Sequence, residues 1–235
     1  MFSPEGRPTL TDLQAATNSL QPLSAVASGE EHANEPLHWA ELIWHGLSYD
    51  LVGLSPGKGA LPAAVSDDYA YADTPVRLEA VNIVAGSHLA GAESTIPIVK
   101  ALWNMAAGLA NRLPHCKMVL WQHSDIAHTP LQFGELAAAW DKKMLLPVGM
   151  LVRVLDDIDR GIKTRGLTFF TGQELRIEPE LTDDRDWAGR LAMRLAEALI
   201  IRGSLSEAEE FTGPDGSKLR LAPSKNRKFV RVWRS

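Results

Sequence analysis

Three stretches of this chain place large apolar residues at helical spacing, and short extended-type runs separate them, so helices and a sheet must share a core. The sharpest stripe is Trp187, Leu191, Leu195 and Leu199, with Thr182 or Asp183 as the expected cap and Gly203 as the stop. A second stripe, Ile98, Leu102, Met105 and Leu109, follows the start signature Ser94-Thr95-Ile96-Pro97 and ends at Pro114. The third opens on the capping box Thr129-Pro130-Leu131-Gln132, carries Phe133, Leu136, Trp140 and Met144, and stops near Pro147.

Strands are expected over Tyr49–Leu54, Val76–Val84, Lys117–Trp121, Val148–Leu155, Lys218–Leu221 and Phe229–Trp233. The paired runs Gly166–Phe170 and Glu174–Glu178, split by Thr171-Gly172, add a hairpin or bulged strand. Strands outnumber helices and often come in neighbouring pairs. The expected class is α+β, a mainly antiparallel or mixed sheet packed by about three helices. Two blocks repeat the order extended segment, helix, strand: Arg77–Val84, Ile96–Leu113, Lys117–Trp121 and Gly166–Glu178, Asp183–Arg202, Lys218–Leu221. That order allows an internal ββαβ-like duplication. Residues 1–36 read as an N-terminal arm whose only periodicity is Leu10, Leu13 and Ala16 behind Thr9 or Thr11, and residues 37–235 as a single α+β domain. The amphipathic stretch Leu37–Trp44, with Trp39 and Trp44, packs the arm or faces a second subunit.

Charge narrows the function classes. The chain carries 24 Lys and Arg against 29 Asp and Glu, a net charge of −5, which does not favour nucleic acid or a membrane surface for the molecule as a whole. No apolar run approaches the roughly 18 residues of a membrane helix, and the opening Met1-Phe2-Ser3-Pro4-Glu5 has no signal-peptide pattern, so a soluble cytoplasmic chain is expected. Cys116 stands alone, excludes an intramolecular disulfide, and reads as a small buried hydrophobe.

His123, Asp125 and His128, after the Lys117–Trp121 strand, are the candidate metal ligands: two nitrogens and one oxygen suit zinc or iron(II) with positions open for water. Their spacing matches no standard metal motif. The competing reading is a loop that meets water and caps the next helix, with exposed histidines near their ordinary pKa and no cofactor. Gly86-Ser87-His88-Leu89-Ala90-Gly91 lacks the phosphate-loop consensus and reads as a loop.

The segment Thr164-Arg165-Gly166-Leu167-Thr168-Phe169-Phe170-Thr171-Gly172-Gln173-Glu174-Leu175-Arg176-Ile177-Glu178 resembles a motif of the bacterial domain of unknown function 4261 family. The pattern is Thr-x-Gly-Leu, a short aromatic stretch, then Gly-x-Glu-Leu-x-Ile, with Trp121, Phe133 and Trp140 before it and Gly216-x-x-Leu219 after it. The resemblance implies an intracellular bacterial α+β protein and carries no catalytic residues with it. On the residues themselves, Gly166 and Gly172 supply backbone conformations that a Cβ penalises. Glu174 and Glu178 fall on one strand face about 13 Å apart, too far to share a metal.

The last 18 residues invert the global charge: Lys218, Arg220, Lys225, Arg227, Lys228, Arg231 and Arg234 occur there with no Asp or Glu. Phe229, Arg231 and Trp233 alternate with Val230 and Val232, which makes the first three a possible partner surface. A terminal strand with a basic face also fits protection of a sheet edge. The expected function is a binding or protein-interaction module, with a protein partner or a second copy and without nucleic acid, membrane or catalysis. The alternative is a metal-dependent hydrolase or oxygenase built on His123, Asp125 and His128.

Overall fold

The computed structural model describes residues 1–3, 5–28, 39–60, 78–143 and 145–235. They divide into two compact units, Met1–Leu120 with Ala127–Leu145, and Trp121–Ile126 with Leu146–Ser235. The described residues of the expected domain 37–235 fall in both units, and the boundary expected at residue 36 lies outside the described residues, as do Leu37, His38, Val76, Arg77 and Met144. Both units are α+β, with antiparallel pairing throughout one main sheet and mixed pairing in the other.

The first unit holds α1 (Leu10–Asn18), β1 (Ser24–Ser28), β2 (Trp39–Trp44), β3 (Leu47–Val52), β4 (Asn82–Ala85), α2 (Ile96–Ala110) and α3 (Pro130–Lys143). Its sheet runs β1-β2-β3-β4, each neighbour antiparallel. His45 and Gly46 join β2 to β3 at φ 50° and 79°, the pair of positive values that a type I′ hairpin turn needs. Alternation then sends Ala40, Leu42, Trp44, Tyr49 and Leu51 to one face, buried against Leu13, Ala16, Met105 and Leu109. The described part of the expected arm is therefore built into the unit: Phe2 is 2% exposed, and α1 is held by a capping box between Thr9 and Asp12. Tyr49 crosses from sheet to helix, its hydroxyl donating to the Ile98 carbonyl at 3.1 Å. On its other side α2 buries Trp103 between Phe133 and Trp140 of α3. The capping box expected at the start of α3 is present, with Thr129 and Gln132 exchanging backbone-to-side-chain bonds of 3.2 and 3.3 Å.

The second unit holds α4 (Val148–Leu151), β7 (Arg153–Asp156), β8 (Ile162–Arg165), α5 (Leu167–Thr171), β9 (Glu174–Ile177), α6 (Arg185–Arg202), β10 (Glu209–Thr212), β11 (Lys218–Pro223) and β12 (Phe229–Arg234). Its six-stranded sheet has the order β10-β11-β12-β9-β8-β7, antiparallel except where β12 meets β9. Inward positions Leu175, Ile177, Leu219, Val230 and Val232 are fully buried, and α6 packs against β7, β8 and β9 through its stripe of Leu191, Leu195 and Leu199. The short strands β5 (Val119–Trp121) and β6 (Ile126–His128) form a two-stranded ribbon whose loop belongs to this second unit.

Several expectations are corrected. Val148–Leu155 is not one strand: Val148, Met150, Leu151 and Val152 are all buried, so the segment needs more than one inward face, and it turns as α4 before β7 begins. Gly166–Phe170 is not extended either, because positive φ at Gly166 (104°) and Gly172 (75°) brackets a helical turn, α5. The cap of α6 is Asp184, whose carboxylate accepts from the Trp187 N–H at 2.9 Å, while the Thr182 hydroxyl bonds to the Arg160 and Pro179 carbonyls. The two blocks read as a duplication share element order but not pairing. In the first, β4 edges the four-stranded sheet and β5 lies in the ribbon; in the second, β9 and β11 both lie in the six-stranded sheet. Finally, β12 is not an edge strand, since β11 and β9 flank it.

Candidate functional site

The loop between β5 and β6 does not assemble a ligand set from His123, Asp125 and His128. Asp125 sits at φ 54°, a left-handed conformation that aspartate tolerates, and its buried carboxylate lies 2.6 Å from the Arg165 guanidinium. His123 is exposed at the surface but stacks on Phe169, ring centroids 3.8 Å apart and planes at 26°. Trp121 meets both rings edge-on, at 4.9 and 5.5 Å. His128 is half-buried, and its Nε2 has no hydrogen-bond partner among the described residues. Removal from water lowers the pKa of both histidines below the ordinary 6.5, which corrects the expectation of unperturbed values. Among the described residues no three His, Cys, Asp or Glu side chains come together to hold a metal.

The motif around Gly166 forms a clasp. Glu174 turns its carboxylate onto the start of α5, where it accepts from the N–H groups of Gly166 (2.9 Å), Leu167 (3.3 Å) and Thr168 (3.1 Å) and from the Thr164 hydroxyl (2.7 Å). Thr164 in turn accepts from the Leu175 N–H at 2.8 Å. A helix start leaves free N–H groups, and one carboxylate satisfies three of them here. At Gly166 a Cβ would lie 2.6 Å from the Leu151 carbonyl oxygen and 2.9 Å from the Ser124 Cβ, so only glycine fits. At Gly172 the same test finds open space. Between the glycines Phe169 holds the rings of Trp121 and His123, and just before them Arg165 holds Asp125. Thr164, Gly166 and Glu174 thereby shape the second unit, and Glu174 has no carboxylate edge left over for chemistry.

Glu178 stands differently. It follows β9 directly and meets the sheet face opposite α6, where Phe229, Arg231 and Trp233 are partly or fully exposed while Val230 and Val232 are buried. Its carboxylate lies 2.6 Å from Arg231 Nε and 3.3 Å from Arg176 Nε, which holds the Arg231 pKa above its usual value. Arg176 also pairs with Asp157 and Asp159 in the β7–β8 turn, and Lys163 with Asp157 at 3.2 Å. A backbone bond from Ile158 leads the groups that hold the Asp157 carboxyl below its ordinary range. Glu178, Pro179, Glu180, Arg231 and Trp233 line an open groove of about 510 Å³.

Sequence reasoning reached Phe229, Arg231, Trp233 and Glu178 but missed Pro179 and Glu180. The signal available was the acidic Glu178-Pro179-Glu180 set against a terminal segment that has seven cations and no acid. Comparison with protein-family models, with curated proteins and with solved structures gives no match.

Proposed function

We propose that this chain is a protein-interaction module without catalysis, and that its partner docks on the outward face of β12. The cytoplasmic setting, the bacterial source and membership of the bacterial domain of unknown function 4261 family belong to the same proposal and rest on the motif Thr164–Glu178. One observation carries the docking surface: β12 lies inside the sheet, so its outward Phe229, Arg231 and Trp233 guard no edge. Partly exposed aromatic residues beside arginine are the composition of interface anchors. His123 and Asp125 do not favour the hydrolase or oxygenase reading, since one is stacked on Phe169 and the other is ion-paired with Arg165.

In-cell photocrosslinking tests it. With p-benzoylphenylalanine at Phe229, a discrete protein adduct should form that Arg231→Ala weakens, whereas the exposed Leu131 position on α3 should give none. Absence of an adduct at Phe229, or equal labelling at Leu131, overturns the proposal.

A further inference from the structure

Cations on the β11–β12 hairpin are balanced unevenly. Arg231, midway along β12, is paired with Glu178, while near Trp233 the exposed Arg220 and Arg234 have no ion pair among the described residues and Glu180 accepts from the Arg234 backbone N–H at 2.9 Å. At the other end, the turn residues Lys225, Arg227 and Lys228 are exposed, and none has a carboxylate within ion-pair distance among the described residues. Seven of the chain's 24 cations and none of its 29 acids fall in residues 218–235, leaving −12 on the remainder, so the positive charge is local to this hairpin, and three of the seven cluster in its turn. Its own side chains and amides bond among themselves: Ser224 Oγ accepts from the Phe229 N–H at 3.0 Å, and Asn226 Oδ1 accepts from the Lys228 N–H at 3.1 Å. The lysine and arginine heads are thus presented on a held turn.

The outward surface therefore runs from a groove lined by Trp233 and Pro179, with the Arg231–Glu178 pair on its wall and Arg220 across from Trp233, to a positive turn at Lys225, Arg227 and Lys228 with Phe229 beside it. Trp233 and Lys228 are five residues apart, roughly 16 Å along a strand. A phosphate chain suits this surface poorly, because Glu178 and Glu180 line the groove and would repel regularly spaced anions.

The geometry points to an extended, acidic segment of a protein partner as the occupant: an aromatic side chain in the groove, and a run of Asp or Glu about five residues away on the basic turn. This rests on the proposed docking face and adds the partner's chemistry. The test is fluorescence anisotropy of the purified chain with labelled extended peptides. One carries a Trp about five residues from three Asp or Glu; its counterpart has Asn and Gln in their place; oligo(dT) is the third probe. The acidic peptide should bind at least about tenfold tighter than its neutral counterpart, and added salt should weaken it. The triple variant Lys225→Glu/Arg227→Glu/Lys228→Glu should remove that preference with its thermal melt unchanged, and Trp233→Ala should weaken both peptides. Equal binding of acidic and neutral peptides, tighter binding of oligo(dT), or no peptide binding while Phe229 crosslinks persist each overturns the acidic segment and leaves the docking face standing. Loss of the crosslinks as well removes both.

Discussion

In the four-stranded sheet the outward residues of β2 and β3 are Trp39, Glu41, Ile43, Ser48, Asp50 and Val52, two carboxylates and no cation, and Glu41 is bonded by the Ser48 hydroxyl of the next strand. In the six-stranded sheet the outward residues of β9, β11 and β12 include Arg176, Arg220, Phe229, Arg231 and Trp233. Inward, the two sheets are alike, with Leu42, Leu51, Leu175 and Val232 all fully buried. Alternation with period two decides which side chains are buried, and the hydrophobic effect makes those faces converge. The outward faces carry no such requirement, so they are where the two sheets part in chemistry.

The likeness of the buried faces is broken or upheld first by truncation. Leu42→Ala in one sheet and Leu195→Ala under the other should each cost about 2–5 kcal/mol in denaturant unfolding. A loss below about 0.5 kcal/mol for either would mean that its face is not a packed core. Each sheet also has a glycine just past a strand end, at positive φ and pressed on backbone: Gly53 at φ 96° with a Cβ position 2.7 Å from the Ala60 nitrogen, and Gly166 at φ 104°. Alanine at either should cost about 1–2 kcal/mol for the left-handed backbone and about 1–3 kcal/mol for overpacking. Gly172→Ala, with open space around it, should show only the first cost; thermal melts of the three variants check the order.

A smaller effect separates the two glutamates. Glu174→Gln disturbs a carboxylate that accepts from four donors and should cost about 1–3 kcal/mol. Glu41→Gln, which alters one hydroxyl bond, should cost less in the same unfolding experiment. The smallest effects are in pH. Burial pushes the Tyr49 pKa from 10 up to about 12, so only the unfolded chain loses that proton between those values, and stability falls as pH rises through the window. His123 and His128 have depressed pKa values, so below 6.5 the unfolded chain takes protons first and stability falls as pH drops. Tyr49→Phe should flatten the alkaline limb of a stability–pH curve and His123→Asn part of the acid limb. A curve unchanged by both would remove this contrast.

What could be read from the residues follows the same division. The stripe of α6, the capping box of α3 and the alternation of β12 were legible because each is a local pattern with one physical cause. The strand β1 was not, since Ser24–Ser28 has no large apolar alternation and owes its pairing to β2. The turn α5 was hidden because Leu167–Thr171 is rich in strand-favouring residues, and what makes it helical, the two left-handed glycines and the Glu174 carboxylate from the next strand, lies outside those five residues. Of the candidate site, Phe229, Arg231 and Trp233 came from one strand and could be seen together. Pro179 and Glu180, which line the groove with Arg231 and Trp233, come from a turn more than 50 positions before those two, brought near by the parallel pairing of β9 with β12.

Trp121–Ile126 belongs to the second unit although the residues on both sides of it belong to the first. Neither unit is therefore a single length of sequence, and no single scission separates them whole. A chain severed after Leu145 leaves residues 146–235 without Asp125, the counter-charge of Arg165, and without the rings of Trp121 and His123 that Phe169 holds. The fragment 1–145 keeps those groups with nothing of their own unit to receive them. One protease nick or one recombination breakpoint thus cannot yield two self-sufficient pieces, and fragment complementation would have to restore the six-residue loop before the second unit could regain its shape.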